Sequence, residues 1–383
     1  MSVFRPILST LRALTAHASI ALVASIGLWG LSGCDVHEWP ETDYSETGFE
    51  LTLKFDTDLP VYQEILYTRA ENDDESSRGS IYDHDLRHTI RIYPAGTGSK
   101  SRSDLNPALT YVFTESSTAN YDVTYPIRLP EGKWDIYVWS DYVDRASKSD
   151  KYYDLTDFAS IAYTDKDRRY EGSNVCREAY RGMTTVDVVH PYRFMEGETL
   201  PSYAATVEME RPLARFEFIS TDVEEFVKQL PTISSRYKSR TDDEPSGDAR
   251  GDDPSRSLSR ADIEEFRVVF RYTAFMPSVY NMFTDRPVDS WTGQTFESRM
   301  DLVDDGILLG FDYQMVNGAE TIANVACEVY NGNDELIAKS NSVEVPLLRS
   351  KRTIVKGEFL SSFGSGGVAI DPGFDGEFNI EIK

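Results

Sequence analysis

The chain has 383 residues and a formal net charge of −25, with 64 acidic residues against 39 basic ones. A surface this acidic repels phosphate backbones and anionic headgroups, so the composition argues against nucleic-acid binding and against a basic membrane-binding patch. Three cysteines are too few for a disulfide framework, so hydrophobic cores must hold the fold. At about 100–200 residues per domain, the length predicts two domains.

The N-terminal 33 residues have the layout of a secretory signal. Two arginines precede an apolar run that ends at Leu31, and the first acidic residue is Asp35. A positive region, an apolar region and small residues at the cut are typical of such a signal. We predict cleavage between Gly33 and Cys34, followed by a polar tether over residues 34–48. The mature chain then keeps 37 basic and 64 acidic residues, a net charge of −27.

The first predicted element of the mature chain is a half-buried strand at residues 50–56. Leu51, Leu53 and Phe55 alternate with polar residues and therefore share one face. Three more strands are predicted in this half of the chain, at residues 88–93, 121–129 and 133–141. The last of these has apolar residues on both faces, which predicts a central strand covered on both sides. Residues 142–185 show no clear period and predict long loops.

A new alternation begins near residue 200, where we place the boundary between an N-terminal sandwich (49–200) and a C-terminal sandwich (201–383). Residues 221–224 have the pattern of a capping box, and the apolar spacing that follows predicts one short helix ended by Pro231. Residues 234–259 are rich in Arg, Ser, Asp and Gly and predict a mobile insert. Further strands are predicted at 205–209, 216–218, 265–273, 306–316, 322–330, 336–338, 342–347, 353–360 and 378–382. This pattern predicts a mainly β protein built from β-sandwiches.

Several segments resemble known bacterial surface proteins. Leu31-Ser32-Gly33-Cys34 resembles the lipobox of bacterial lipoproteins, in which the cysteine sulfur receives lipid before cleavage. The segments that resemble the fimbrillin superfamily of Bacteroidales, including surface lipoproteins of Bacteroides, are residues 34–40, 129–141, 210–218, 345–360 and 374–380. The stretch from Arg349 to Leu360 is the most specific of them.

The resemblance implies two tandem transthyretin-like β-sandwich domains with few short helices. It also implies a non-enzymatic outer-membrane lipoprotein, anchored through acylated Cys34, facing the cell exterior and related to fimbrial anchor and minor subunits. Its partners would be other fimbrial subunits or surface proteins, joined by strand exchange, in which Leu51, Leu53 and Phe55 mark the candidate strand. In structural pilins of the family an arginine-specific protease frees the first strand. Arg69 or Arg78 would be that site here, and an uncut loop is the alternative.

A second hypothesis is a surface glycan-binding lipoprotein of a polysaccharide-uptake system. Its candidate contacts are Tyr142, Tyr152, Tyr153 and Tyr163, because exposed aromatic rings can stack on the sugars of host or dietary glycans. The alternative for these residues is core packing, in which a tyrosine buries its ring and hydrogen-bonds its hydroxyl.

No motif for catalysis or for a cofactor occurs, and we expect no enzyme activity, no cofactor and no metal site. His84 and His88 are spaced for one face of a helix, but the residues after them alternate as a strand, so a polar strand entry is the better interpretation. Secretion would permit a disulfide between Cys176 and Cys327. We expect none, because they fall in different predicted domains and Cys327 suits a core.

Overall fold

The computed structural model describes residues 46–66, 84–96, 106–116, 122–164, 170–189, 203–235, 258–361, 368–370 and 380–382. The predicted signal, Cys34, Arg69 and Arg78 lie outside these residues, as do almost all of the tether and most of the 234–259 insert. None of the helices in the described ranges is long and apolar enough to cross a membrane.

The described chain is mainly strand. The strands are β1 (Glu46–Phe55), β2 (Val61–Leu66), β3 (His84–Pro94), β4 (Leu109–Ser116), β5 (Val123–Pro130), β6 (Gly132–Asp144), β7 (Tyr153–Asp154), β8 (Ile161–Tyr163), β9 (Ala179–Val188), β10 (Ala204–Met209), β11 (Leu213–Ser220), β12 (Arg267–Tyr272), β13 (Phe275–Asn281), β14 (Arg286–Thr292), β15 (Thr295–Arg299), β16 (Asp301–Val303), β17 (Gly306–Met315), β18 (Thr321–Tyr330), β19 (Leu336–Lys339), β20 (Val343–Leu347), β21 (Arg352–Gly357), β22 (Val368–Ile370) and β23 (Ile380–Ile382). The helices are α1 (Val223–Ile233), α2 (Arg260–Ile263) and a 3-10 turn at Val175–Arg177. The predicted fold class, mainly β with few short helices, is confirmed.

The first sandwich packs the sheet β10-β1-β5 against the sheet β4-β3-β6-β9. Apolar side chains from both sheets form one core cluster, which includes Leu51, Leu53, Ile90, Ile127 and Val138. The strict alternation predicted for β1 therefore has its physical cause here, because every second side chain of the strand enters this core.

The second sandwich combines the sheet β16-β17-β11-β21-β2 with the sheet β15-β12-β18-β19, to which β20 adds through β18. Phe216, Phe218 and Phe270 lie in its core and are fully buried. The rings of Phe218 and Phe270 meet edge to face, with centroids 5.4 Å apart.

A further sheet, β14-β13-β8-β7, combines short strands from the first half of the chain with a hairpin from the second half. Tyr137 and Trp139 on β6 belong to the same core cluster as this sheet, whereas Ile136 and Val138 belong to the core of the first sandwich. The prediction that β6 is covered on both faces is therefore correct.

Strand pairing does not respect the boundary predicted near residue 200. β10 pairs in parallel with β1 and completes the first sandwich, whereas β2 pairs in parallel with β21 and extends the second. Residues from Thr47 onward cluster as one compact unit. The prediction of long loops over residues 142–185 is correct for most of the described residues between β6 and β9, but it misses β7, β8 and the first part of β9.

The one predicted helix forms, with two differences at its ends. Asp222 is the N-cap residue without a side-chain capping bond, because its carboxylate accepts the backbone N–H groups of Leu360 and Ser361 at 3.0 and 2.6 Å. The helix continues past Pro231 to Ile233, and Ser234 N–H bonds to the Leu230 carbonyl at 3.0 Å. A proline in the last turn removes one hydrogen bond without ending this helix.

Candidate strand-exchange site

The strand predicted for exchange, β1, occupies the middle of its sheet. Its parallel register places Leu51 opposite Ala205, Leu53 opposite Val207 and Phe55 opposite Met209, the last residue of β10. Leu51 and Leu53 are 0% exposed. The structure thus brings the three candidate side chains together on the core side, and removal of β1 would leave facing edges on β10 and β5.

The chain then leaves the first sandwich and enters the second. β2 runs parallel to β21, with Gln63 opposite Thr353 and Ile65 opposite Val355. One continuous N-terminal segment, β1 and β2, therefore contributes a strand to each sandwich. Any displacement of this segment would disturb both.

Arg211 holds the crossing between β1 and β2. Its guanidinium donates to the backbone carbonyls of Asp56, Thr57 and Asp58 at 3.2, 2.7 and 2.8 Å. It also donates to the Tyr180 hydroxyl at 2.9 Å and to the Glu178 carboxylate. Arg211 is only 3% exposed. These contacts, which we call the Arg211 clamp, fix the crossing against the start of β9.

The pKa of Arg211 is consistent with these contacts. Burial lowers the pKa of Arg211, but Glu178 and Tyr180 raise it, and the net shift is upward. The guanidinium therefore stays charged inside the protein. Three of its five donated hydrogen bonds go to backbone carbonyl groups of the crossing, and a charged donor makes such bonds stronger than a neutral one does.

A second arginine cluster lies beside the clamp and contains Arg349, from the segment most specific to the fimbrillin resemblance. Arg349 and Arg181 donate to the Asp285 carboxylate at 2.8 and 2.6 Å, and the Tyr280 hydroxyl donates to its other oxygen. Arg181 also donates to Glu210 at 2.6 Å. Burial raises the pKa of Asp285, but bonds from Arg349 and Tyr280 lower it, with a net downward shift. The cluster ties β9 of the first sandwich to the β13–β14 turn and to the segment before β21.

The four tyrosines predicted to contact glycans are core residues. Tyr142, Tyr152, Tyr153 and Tyr163 are 3, 2, 0 and 2% exposed. The expectation that these rings stack on sugars is therefore wrong, because their faces pack against protein, and the alternative of core packing is correct. The Tyr163 ring, for example, lies 4.6 Å from the buried guanidinium carbon of Arg177.

The same core contains a buried carboxylate. Asp312 is 0% exposed and accepts hydrogen bonds from the hydroxyls of Tyr170 and Tyr272 at 2.9 and 2.5 Å. Burial raises the pKa of Asp312 to about 6, although Arg177 and the two tyrosines oppose the shift. This network joins β17 and β12 of the second sandwich to the loop before the 3-10 turn.

The structure shows no metal centre at the histidines. Both lie on β3, as the alternation predicts, and the described residues contain no group of three or more His, Cys, Asp or Glu arranged to hold a metal. His88 is fully buried with Nδ1 2.8 Å from Ser140 Oγ, and burial lowers its pKa to about 4. Cys176 and Cys327 are both buried free cysteines.

These features define a multi-sheet β protein in which the candidate site is a packed strand junction. The chain belongs to the Family of unknown function (DUF6562), whose model matches residues 45–383. No curated protein matches the chain.

Similar solved structures include candidate adhesins and fimbrial proteins from Bacteroides and Porphyromonas species. A candidate adhesin from Bacteroides ovatus is 11% identical with a TM-score of 0.38, covering 88% of this chain and 93% of its own. The fimbrial anchor protein Mfa2 from Porphyromonas gingivalis is 9% identical with a TM-score of 0.34, covering 77% and 82%. The tip fimbrial protein Mfa3 from the same organism, truncated at its C-terminus, is 9% identical with a TM-score of 0.32, covering 78% and 81%. TM-scores below 0.5 at this identity transfer no function to this chain.

Proposed function

We propose that this protein is a non-enzymatic, lipid-anchored protein of the outer cell surface that acts in fimbria anchoring, assembly or adhesion. Acyl chains on Cys34 hold the chain to the membrane, and the β-sheet body presents its edges to other subunits. The sequence support is the lipobox-like Leu31-Ser32-Gly33-Cys34 together with the fimbrillin-like segment that contains Arg349.

The structural observation that favours an anchoring role is the path of the N-terminal segment. β1 begins at Glu46, twelve residues after Cys34, and is the central strand of its sheet. The same segment continues through the Arg211 clamp into β2 of the second sandwich. A force transmitted to β1 would therefore reach both sandwiches through paired strands.

Membrane attachment is tested by Cys34→Ser. Without a thiol there is no site for the lipid, so the cleaved variant should move from the membrane fraction to the soluble fraction. Ser32→Thr, which keeps Cys34, is the matched control and should remain with the membrane. Mass spectrometry shows whether the retained protein still carries residues 1–33, and membrane retention of a Cys34→Ser protein that has lost them would contradict lipid anchoring.

The fimbrial role is tested by deleting the gene and measuring surface fimbriae. An anchoring or assembly protein should change their number, length or attachment to the cell. Unchanged fimbriae and unchanged adhesion after deletion would contradict this role, whatever the state of Cys34.

A further inference from the structure

β4 is an outer strand of the β4-β3-β6-β9 sheet. Its eight residues pair with β3 in unbroken register from Ser116 opposite Asp85 to Leu109 opposite Ile92. Alternate backbone N–H and C=O groups of an outer strand point away from its sheet. In the described ranges no strand pairs with these outward groups over residues 109–115, so this part of β4 presents a regular edge.

Two other edges carry features that block strand addition. β5 contains Pro126, which lacks an N–H. The Tyr111 hydroxyl also donates to the Arg128 carbonyl at 2.9 Å and accepts the Arg128 N–H at 3.1 Å, so it occupies backbone groups of that edge. β14 contains Pro287 and Asp289, and its pairing with β13 is irregular. Proline, charge and irregular pairing all protect natural sheet edges.

The remaining edges are short, charged or closed. β9 meets the end of β10 through reciprocal backbone bonds of 2.8 and 2.9 Å between Arg181 and Glu210. β7, β15, β16, β19 and β20 have 2, 5, 3, 4 and 5 residues, and β2 and β10 have 6 each. Among the outer strands that the structure describes, β4 is therefore the one of eight or more residues without a proline, a lysine, an arginine or a backbone bridge to another sheet.

The side chains of β4 are suited to a neighbouring strand. Thr110, Val112 and Thr114 are exposed on the outer face, and Val112 is 56% exposed. The strand contains no proline, lysine or arginine, and its one charged residue, Glu115, accepts a hydrogen bond from the Tyr125 hydroxyl at 2.9 Å. Uncharged β-branched residues along an edge strand favour pairing with another strand.

The inner face of β4 adds an apolar surface to this edge. Leu109, Tyr111 and Phe113 are half-buried, on the side of the first sandwich core. The Phe113 ring is nearly parallel to those of Tyr111 and Tyr125, with centroids 6.3 and 4.1 Å away. Apolar side chains from an added strand would cover this row of rings and remove it from water.

We propose that the outer edge of β4 is a strand-addition site for an extended segment of a different protein, with apolar side chains at alternate positions. Backbone hydrogen bonds would supply affinity, and the half-buried aromatic row would favour partner segments whose apolar side chains stand at alternate positions. A second copy is the wrong occupant, because two bodies that each carry a net charge of about −27 repel one another. This inference rests on the proposed function, since it names the surface through which an anchored body would hold a partner.

The test measures backbone hydrogen exchange by mass spectrometry in the purified mature chain carrying Cys34→Ser. The probe is a synthetic peptide with the sequence of β1, ETGFELTLKF, which has the required alternation. Exchange within residues 109–116 should slow by about tenfold at saturating peptide, because added hydrogen bonds protect the outward amides. A peptide of the same composition with the alternation broken should leave exchange in this segment unchanged.

Lysine variants locate the site. Val112→Lys and Thr114→Lys place a charge on the proposed edge and should each abolish the protection, whereas Val288→Lys, on the protected β14 edge, should retain it. Absence of slowing at residues 109–116, protection of β5 and β10 instead, or equal protection in Val112→Lys would overturn the proposal. Protection of β4 that rises with protein concentration alone would show a second copy at the edge and overturn the named occupant. The purified chain carries no lipid. A negative result for peptide binding therefore leaves membrane anchoring untouched, and the fractionation of the Cys34→Ser variant tests anchoring separately.

Discussion

Replacing Arg211 tests the clamp on the N-terminal segment most directly. Arg211→Met keeps much of the side-chain length but removes five donated hydrogen bonds, and it leaves the Glu178 carboxylate, 13% exposed, without this partner. Breaking a buried ion pair from one side costs about 3–5 kcal/mol, mainly because the remaining charge is uncompensated. We expect the free energy of unfolding to fall by that amount.

The assay is denaturant unfolding of the mature chain, with the midpoint and the slope fitted separately. A lower midpoint at constant slope would mean lost stability, and a lower slope would mean that part of the surface is already exposed in the native state. Limited proteolysis should then show faster cleavage in the crossing at residues 56–60, because Arg211 no longer bonds its carbonyl groups.

Two further variants separate loss of the clamp from the general effect of removing an arginine. Arg267→Met is the matched control, because that arginine pairs with Glu297 and Asp334 at a more exposed position and should cost under about 1 kcal/mol. Arg211→Met combined with Glu178→Gln should recover part of the loss, because the buried charge is removed as well. A loss from Arg211→Met as small as that of the control would refute the clamp.

Three other predictions concern the packed interior. Because burial raises the pKa of Asp312 from 3.8 to about 6, its contribution to stability is present at low pH and is lost as pH rises through 6, by up to about 3 kcal/mol. The free energy of unfolding of Asp312→Asn should therefore fall less between pH 4 and 7 than that of the unchanged chain, and parallel curves would contradict this. Gly182→Ala places a Cβ 2.5 Å from a side-chain atom of β10 and should cost about 1–3 kcal/mol in thermal or denaturant unfolding, whereas Gly318→Ala, with no atom within 4 Å, should be neutral. In thiol titration of the Cys34→Ser chain, Cys176 and Cys327 should react only after denaturation, and a count below two in denaturant would contradict the absence of a disulfide.

Local patterns predicted individual strands well. Leu51, Leu53 and Phe55 alternate because one face of β1 enters a core, and the two apolar faces of β6 follow from sheets packed on both sides. Both features follow from the spacing of neighbouring side chains along one strand, so the sequence alone is enough to predict them.

Pairing between distant segments could not be read in the same way. Leu51 lies opposite Ala205 and Gln63 opposite Thr353, and no local period shows which parallel strand a segment will join. The boundary predicted near residue 200 fails for this reason. β7 and β8, with 2 and 3 residues, are also too short to show a period, so their tyrosines suggested an exposed loop.

The site was predicted only in part. The candidate strand was found from its alternation, but Arg211, Arg181 and Asp285 were not, because a buried arginine has no sequence signal that separates it from a solvated one. Arg211 lies within the segment that resembles the fimbrillin superfamily, and its pairing with three successive carbonyls depends on the folded path of β1.

The position of β1 bears on whether this chain would give up its first strand. A cut at Arg69 or Arg78 would separate β1 and β2 from the rest of the chain, yet strand pairing and the Arg211 clamp would still hold both. Exposing Leu51 and Leu53 alone costs about 3–6 kcal/mol at 1.5–3 kcal/mol for each side chain, and the clamp adds to that. These costs favour a chain that keeps its own first strand. A partner strand could add to the β4 edge without displacing β1. A chain that keeps β1 can therefore still bind a partner through backbone hydrogen bonds.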